Sequence, residues 1–201
     1  MPRAGLTRDR LVRAGADLAD EVGLEAVTPS ELARRFEVRT ASLYSHLDGA
    51  ADLRTGIALL ALAEMTDRAA HAVAGRAGRD AVTAFAEVYR DYARTHPGRY
   101  AATRTPLDPA TAAASAGPRH ARLLRSVLRD YDLGEPDETH AVRLLGSLLH
   151  GFVTLELAGG FDHSRPTPAV TWDWLLDALD ALLRRPRHPT DDRPATHRET
   201  P

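Results

Sequence analysis

Nine histidines and no cysteine are the stock from which this chain could build a metal site or a nucleophile, and their spacing offers neither. Without cysteine there is no disulfide framework, no thiolate ligand and no sulfur nucleophile. His150 and Glu156 are six residues apart, a rotation of about 600° on a helix. They therefore stand roughly 120° apart around the axis, a poor pair for one ion. His71, His96, His120 and His140 show no ligand spacing either. No glycine-rich phosphate loop, nucleophile elbow or pair of catalytic carboxylates occurs. The chain is read as no enzyme, with no metal and no cofactor. One pattern does suit a definite chemistry. Thr28-Pro29-Ser30-Glu31 is a capping box with proline at the first helical position, and Arg39 stands at the start of the next helical segment. Free backbone amides at a capped helix start suit a phosphate, and a guanidinium fork suits a guanine edge.

The elements that would position these groups are helical. The apolar residues recur at helical spacing, and no alternating strand pattern stands out. Leu11, Ala14, Gly15, Leu18, Ala19 and Val22 form one stripe of a first helix, with Thr7 as its cap and Gly23 as its stop. A second helix runs from the capping box to about Phe36, with Val27 and Leu32 as its hydrophobic staple. A third begins near Thr40 and ends at Leu47. Residues 28–47 therefore have the spacing of a helix-turn-helix, with Leu32, Phe36, Val38, Leu43 and Leu47 packing inward. The start of the third helix is left to enter a major groove about 12 Å wide.

The remaining helices are longer. Leu53, Ile57, Leu60 and Ala61 mark one that runs to about Val73. Val82, Phe85, Val88, Tyr89 and Tyr92 mark another that ends at the break His96-Pro97-Gly98. An alanine-rich stretch over residues 106–118 is expected to be helical and interrupted at Gly117-Pro118. Leu123, Leu124, Val127, Leu128 and Tyr131 form a further stripe, stopped by Gly134. Pro136 opens a strongly apolar helix that ends at Gly159-Gly160, and Val170, Trp174, Leu175, Ala178, Leu179 and Leu182 form the last. The fold class is all-α: a helix-turn-helix unit over residues 1–54 and a larger helical domain over 55–185. Residues 186–201, with four prolines and no apolar stripe, are expected to be disordered.

With 201 residues and 43% hydrophobic content the chain can form a proper core, which excludes wholesale disorder. No apolar run approaches the roughly 20 residues a membrane span needs, and the N-terminus lacks a signal peptide's apolar segment. A soluble cytoplasmic protein without membrane contact is expected. The net charge is −2, and residues 1–54 hold 8 Arg against 9 acids. Any binding to DNA must then come from placed arginines and not from a general cationic field.

Glu21-Val22-Gly23-Leu24-Glu25-Ala26-Val27-Thr28, then Leu32-Ala33, Val38 and Leu43-Tyr44-Ser45-His46-Leu47 resemble the N-terminal domain of the tetracycline-repressor (TetR) family, in order and without gaps over residues 6–57. The resemblance implies a homodimeric, ligand-responsive transcriptional regulator, usually a repressor, acting on a double-stranded DNA operator. It places Arg39, Thr40, Ala41 and Ser42 at the base-facing start of the recognition helix. Tyr44 and His46 fall on phosphate-holding positions, and Thr28 on the cap that contacts phosphate from the second helix. Four positions depart from the family pattern. Glu37 stands where a glycine usually makes the turn, which asks a non-glycine for positive φ at a cost of roughly 1 kcal/mol. Arg39 replaces a small capping residue, leaving the cap to Thr40. Leu47 replaces a phenylalanine, and Ala50 a phosphate-clamping lysine. Further on, His96-Pro97-Gly98-Arg99-Tyr100 and the segment from His150-Gly151 to Phe161 resemble a subgroup of C-terminal domains named for a Trp-His-Gly signature, with Leu149 in the tryptophan's place.

Each of these residues also has a plainer reading. Arg39 is a guanine-reading fork or a solvated charge; Arg3, Arg8 and Arg10 are a minor-groove arm or a frayed terminus; Tyr44 is a phosphate contact or a core aromatic. Phe85, Tyr89, Tyr92 and Phe152 line a pocket for a small, mainly apolar effector or are simply core. His150 and Glu156 orient that effector or are satisfied within the protein. The apolar late helices, over residues 140–157 and 171–183, are expected to pair in a four-helix dimer interface through Leu145, Leu148, Leu175 and Leu179. Against the regulator stand two other readings. In one, a helical small-molecule-binding protein or enzyme uses its first three helices only for packing. In the other, a regulator without a ligand answers to a protein partner.

Overall fold

The computed structural model describes residues 5–185. Arg3 and the tail from Pro186 onward, expected to be disordered, lie outside the described residues. Among the described residues nine α-helices and three short 3₁₀ turns account for the secondary structure, and there is no strand. No described helix is long and apolar enough to cross a membrane.

Helix α1 (Arg8–Val22) starts where Thr7 Oγ1 accepts the Arg10 N–H at 3.3 Å and stops at Gly23, whose φ of 85° suits a residue without a Cβ. Helix α2 (Pro29–Arg35) starts where Thr28 Oγ1 accepts the Glu31 N–H at 3.1 Å. The reciprocal half of the capping box is not made, because the Glu31 carboxylate turns to Arg34. Helix α3 (Ala50–Val73) is the long connector. Beyond it lie α4 (Gly78–Thr95), the short α5 (Pro97–Ala102) and α6 (Pro109–Ala114), α7 (Gly117–Leu128), α8 (Asp137–Leu157) and α9 (Pro168–Leu183). Two prolines read as breaks are starts. Pro97 opens α5, and Pro118 sits in the first turn of α7, where a missing N–H costs nothing.

Two hydrophobic cores organise these elements. The first holds Leu11, Leu18, Val27, Leu32, Leu43, Leu47, Leu53 and Ile57, with Phe36 and Val38 packed at its edge. This is the inward packing expected of the helix-turn-helix unit. The second is built around α4, whose Val82, Phe85, Tyr89 and Tyr92 meet Leu124, Leu128, Leu145, Leu149, Phe152 and Trp172. The boundary is not a clean cut after residue 54. Helix α3 gives Leu53, Ile57 and Ala58 to the first core and Ala61, Met65 and Ala69 to the second, and Ala102 of α5 also belongs to the first.

The second core encloses a polar chain. The Thr66 hydroxyl donates to the Leu62 carbonyl at 2.7 Å, so its oxygen accepts from His120 Nδ1–H at 3.0 Å. Nε2 of His120 is then left as the acceptor for the Tyr89 hydroxyl, 2.5 Å away. Every group is satisfied with the imidazole neutral, and burial lowers its pKa from 6.5 to about 4. Because the folded value is depressed, the associated stability is fully present above pH 6.5 and is lost as the pH falls toward 4. The stability advantage of the wild type over His120→Gln should therefore shrink by roughly 3 kcal/mol between neutral pH and pH 4 in denaturant titrations. An advantage that stays constant with pH would mean that the imidazole is not held neutral.

Candidate nucleic-acid interface

The segment after α2 turns on Glu37. Its φ is 54°, the positive value expected of a glycine position. The Val38 N–H donates back to the Ala33 carbonyl at 3.0 Å and closes the turn. Arg39 is extended and occupies the cap position of the next element without a side-chain bond, so the cap does not pass to Thr40. That next element is not the short α-helix expected from the sequence. Thr40–Ser42 form a single 3₁₀ turn. Bonds from Leu43 N–H to the Thr40 carbonyl (3.0 Å) and from His46 N–H to the Leu43 carbonyl (2.9 Å) carry the chain on to Leu47. Local chemistry and tertiary anchoring both contribute. The stretch is too short to nucleate a helix by itself, and its hydroxyls compete for the backbone: Ser45 Oγ donates to the Ser42 carbonyl at 2.9 Å. Leu43 and Leu47, both buried, anchor the turn to the first core.

That anchoring decides what is left outside. Arg39, Ala41, Ser42 and Tyr44 are exposed, Tyr44 at 58%, while Thr40 and His46 are half-buried. Tyr44 is thus not a core aromatic. Thr28 is exposed at the start of α2, which packs on the same turn. The neighbouring arginines are engaged. Arg8 meets Asp52 at 2.7 Å, Arg35 meets Glu21 at 2.8 Å, Arg54 meets Glu25 at 3.0 Å, and Arg34 meets Glu31. Arg8 also holds the Asp52 carboxyl below the usual carboxylate range. Asp52 in turn accepts the Asp48 N–H at 3.1 Å, which fixes the start of α3 beside the turn. Among the described residues, Arg39 has no acidic partner. An exposed, unpaired guanidinium on a rigid turn can meet a base edge without first breaking an ion pair.

The residues expected around an effector fall into separate clusters. Phe85 and Tyr89 lie with ring centroids 4.9 Å apart beside His120. Phe152 packs on Trp172 at 5.0 Å and Phe161 at 4.9 Å. Tyr92 donates to Glu64 at 2.9 Å, and His150 Nδ1 lies 2.9 Å from the Tyr100 hydroxyl. Glu156 is committed to Arg90 (2.6 and 3.0 Å) and Arg94 (3.0 Å), and the Arg90 guanidinium holds it below the usual carboxylate range. Phe85, Tyr89, Tyr92 and Phe152 are all buried. The partners His120, Arg90, Glu64 and Trp172 come from 20 to 66 residues away in the chain, and local spacing carries no sign of them. No group of three or more candidate metal ligands occurs among the described residues.

A capped helix-turn-helix unit with a solvent-facing recognition turn, mounted on a larger helical body, defines a DNA-binding regulator. Residues 82–179 match the model of the tetracyclin repressor-like C-terminal domain. The chain is 36% identical over 189 residues to the HTH-type transcriptional regulator Rv0681 of Mycobacterium tuberculosis, covering 92% of this chain and 85% of that one. It is 31% identical over 161 residues to the HTH-type transcriptional regulator YobS of Bacillus subtilis, covering 80% and 84%. The fold is that of the TetR family transcriptional regulator PfmR from Thermus thermophilus, with a TM-score of 0.62 at 23% identity over 92% of this chain and 100% of that one. The chain belongs to the TetR family of transcriptional regulators, a family without enzymatic activity.

The strained turn gives a direct test. Replacing Glu37 by glycine removes a left-handed penalty of about 1–2 kcal/mol and adds glycine's unfolded-state entropy. Glu37→Gly should raise stability by a net ~1 kcal/mol or less, seen as a rise of a few degrees in thermal unfolding. A lower melting temperature would show that Glu37 makes a compensating contact.

Proposed function

We propose that the chain is a repressor that binds a near-palindromic operator as a homodimer and is released by a small, mainly apolar effector. The observation that carries the DNA reading is Arg39, exposed and unpaired on a turn whose buried side is locked by Leu43 and Leu47. In this reading Arg39, Thr40, Ala41 and Ser42 face the bases. Tyr44, His46 and Thr28 hold phosphates, which position the protein without specifying sequence. His150-Gly151 supports grouping the C-terminal part with the Trp-His-Gly subgroup.

The dimer reading rests on α8 and α9, which are apolar on two faces. Their inner faces, including Leu145 and Leu149 on α8 and Leu176 and Leu179 on α9, fill the protomer's own core. Leu145 and Leu179, expected between protomers, are therefore buried within one; Leu148 and Leu175 are half-buried. The outer faces carry Leu144 and Leu155 on α8 and Val170, Trp174 and Leu182 on α9, exposed by between 37% and 70%. Exposed apolar residues opposite a core face call for a cover on that side too, and a second copy supplies it. Shallow grooves of about 340 and 360 Å³ beside Trp174 and Leu144 add relief to that face.

The effector reading is supported by the polar chain of Thr66, His120 and Tyr89 inside an apolar core. Because Phe85, Tyr89, Tyr92 and Phe152 are packed, an effector enters by parting α4 from its neighbours. His150 and Glu156 lie at the rim of that core. Binding to the native state must raise thermal stability.

Gel retardation with DNA from upstream of the protein's own gene tests the function. Arg39→Ala should cost about 1–3 kcal/mol and relax preference at one base pair, whereas Tyr44→Phe should weaken binding evenly across sequences. Unchanged affinity and unchanged preference in Arg39→Ala would refute the assignment. For the dimer, Trp174→Glu places a charge in the outer face and should yield a monomer by light scattering at micromolar concentration. A wild type that is itself monomeric there would refute the interface.

A further inference from the structure

Besides the covalent path through α3, the DNA-binding head meets the body where α5 packs on the last turn of α1 and the 3₁₀ turn Leu24–Ala26 that follows it. Asp20 stands at the centre of this joint. One carboxylate oxygen accepts the Arg99 N–H at 2.9 Å, and the other faces His96 Nδ1 at 2.9 Å and Arg99 Nε at 3.2 Å. Nε2 of His96 lies 3.1 Å from the Arg68 guanidinium, which can only donate, so Nδ1 carries the proton given to Asp20. Arg99 reaches on to Asp17 and, at 3.3 Å, to Glu64, the acceptor of the Tyr92 hydroxyl. Side-chain exposures of 15% for Asp20 and 13% for Arg99 keep the pair partly out of water, so it is screened less than a surface salt bridge.

The backbone closes the same joint. A Cβ on Gly98 would fall 2.0 Å from the Ala19 carbonyl oxygen and 2.6 Å from the Asp20 nitrogen. No larger residue fits without moving α5 off α1. Along α5 itself the two cores meet: Ala102 is buried in the head's core, while Tyr100 is buried in the body's core and contacts His150 of α8.

We propose that Asp20 is a positioning residue for operator binding: by clamping the start of α5 it sets the angle of the head on the body. A single helix, α3, would by itself leave that angle free to bend. Together with the α1–α5 clamp it fixes the separation of the two recognition turns in a dimer, which must match about one turn of DNA, roughly 34–36 Å. The proposal rests on the operator-binding reading above.

The test uses the full chain and a set of duplexes in which the two half-sites are moved apart or together one base pair at a time. The wild type should prefer one spacing sharply. Asp20→Ala should lose about tenfold or more in affinity at that spacing, within the range typical of coupled sites, and should flatten the preference across the set. Asp20→Asn, which keeps an acceptor for the Arg99 N–H, should restore part of it. Gly98→Ala, which pries the joint from the other side, should flatten the preference in the same way while the chain stays folded and dimeric. Equal losses at every spacing, or an unchanged spacing preference in both Asp20→Ala and Gly98→Ala, would overturn the proposal. A wild type that retards no duplex overturns the operator reading and this proposal with it. A sharp wild-type preference that the variants keep overturns this proposal alone.

Discussion

Helix α3 serves two hydrophobic cores at once, and the rest of the molecule depends on that constraint. Its first turns bury Leu53 and Ile57 against α1, and its later turns bury Met65 and Ala69 against α4. One continuous rod of 24 residues therefore carries the recognition turn at one end and the Thr66 hydroxyl, a member of the buried polar chain, further along. A change in how α3 packs in one core can therefore reach the other along a single helix. The start of α3 is held just as firmly, by Arg8 on Asp52 and by the Asp52 bond to the Asp48 N–H. Head and body are thus mechanically joined although their side chains pack separately.

The chemistry of the head is sparing. With as many acids as arginines nearby, most guanidiniums are spent on ion pairs that shape the unit, and general attraction to DNA is weak. In the proposed reading, selectivity comes from where Arg39 and its neighbours are held. Exposed ion pairs contribute little to stability, so the arginines that are paired matter mainly for orientation. The buried pair of Arg90 and Glu156 is different: its members are only 6% and 9% exposed, and Arg90 also lies over the Phe152 and Trp172 rings. Removing one partner would strand a charge in the body's core.

Much of this was legible in the sequence, and the rest was hidden for identifiable reasons. The caps Thr7 and Thr28 and the stops at Gly23 and Gly159 arise from local chemistry that acts within a few residues, whereas the left-handed Glu37 is foreseen only through the family resemblance, which puts a glycine there. The collapse of the recognition segment into a 3₁₀ turn was not legible, because it depends on tertiary anchoring of Leu43 and Leu47 and on hydroxyls that rival the helix. Helix α5 was hidden behind His96-Pro97-Gly98, which reads equally as an end and as a beginning. On α8 and α9 the helices were evident but the phase was not. Both faces carry apolar residues, so periodicity cannot say which one fills the protomer's own core and which stays exposed. The ion pairs and hydrogen bonds that tie Glu156, Tyr92 and Asp20 span 28 to 79 residues and leave no trace in local spacing.

In the proposed reading, a turn held by two buried leucines reads DNA through placed groups in a two-fold arrangement. The most direct measurement is selection of bound duplexes from a random-sequence pool by the wild-type chain at physiological salt. The account predicts enrichment of one inverted repeat whose half-site centres lie about 10 base pairs, or a multiple of it, apart, with a guanine favoured at a fixed place in each half. Recovery of duplexes with no shared motif, or of a motif without two-fold symmetry, would contradict it.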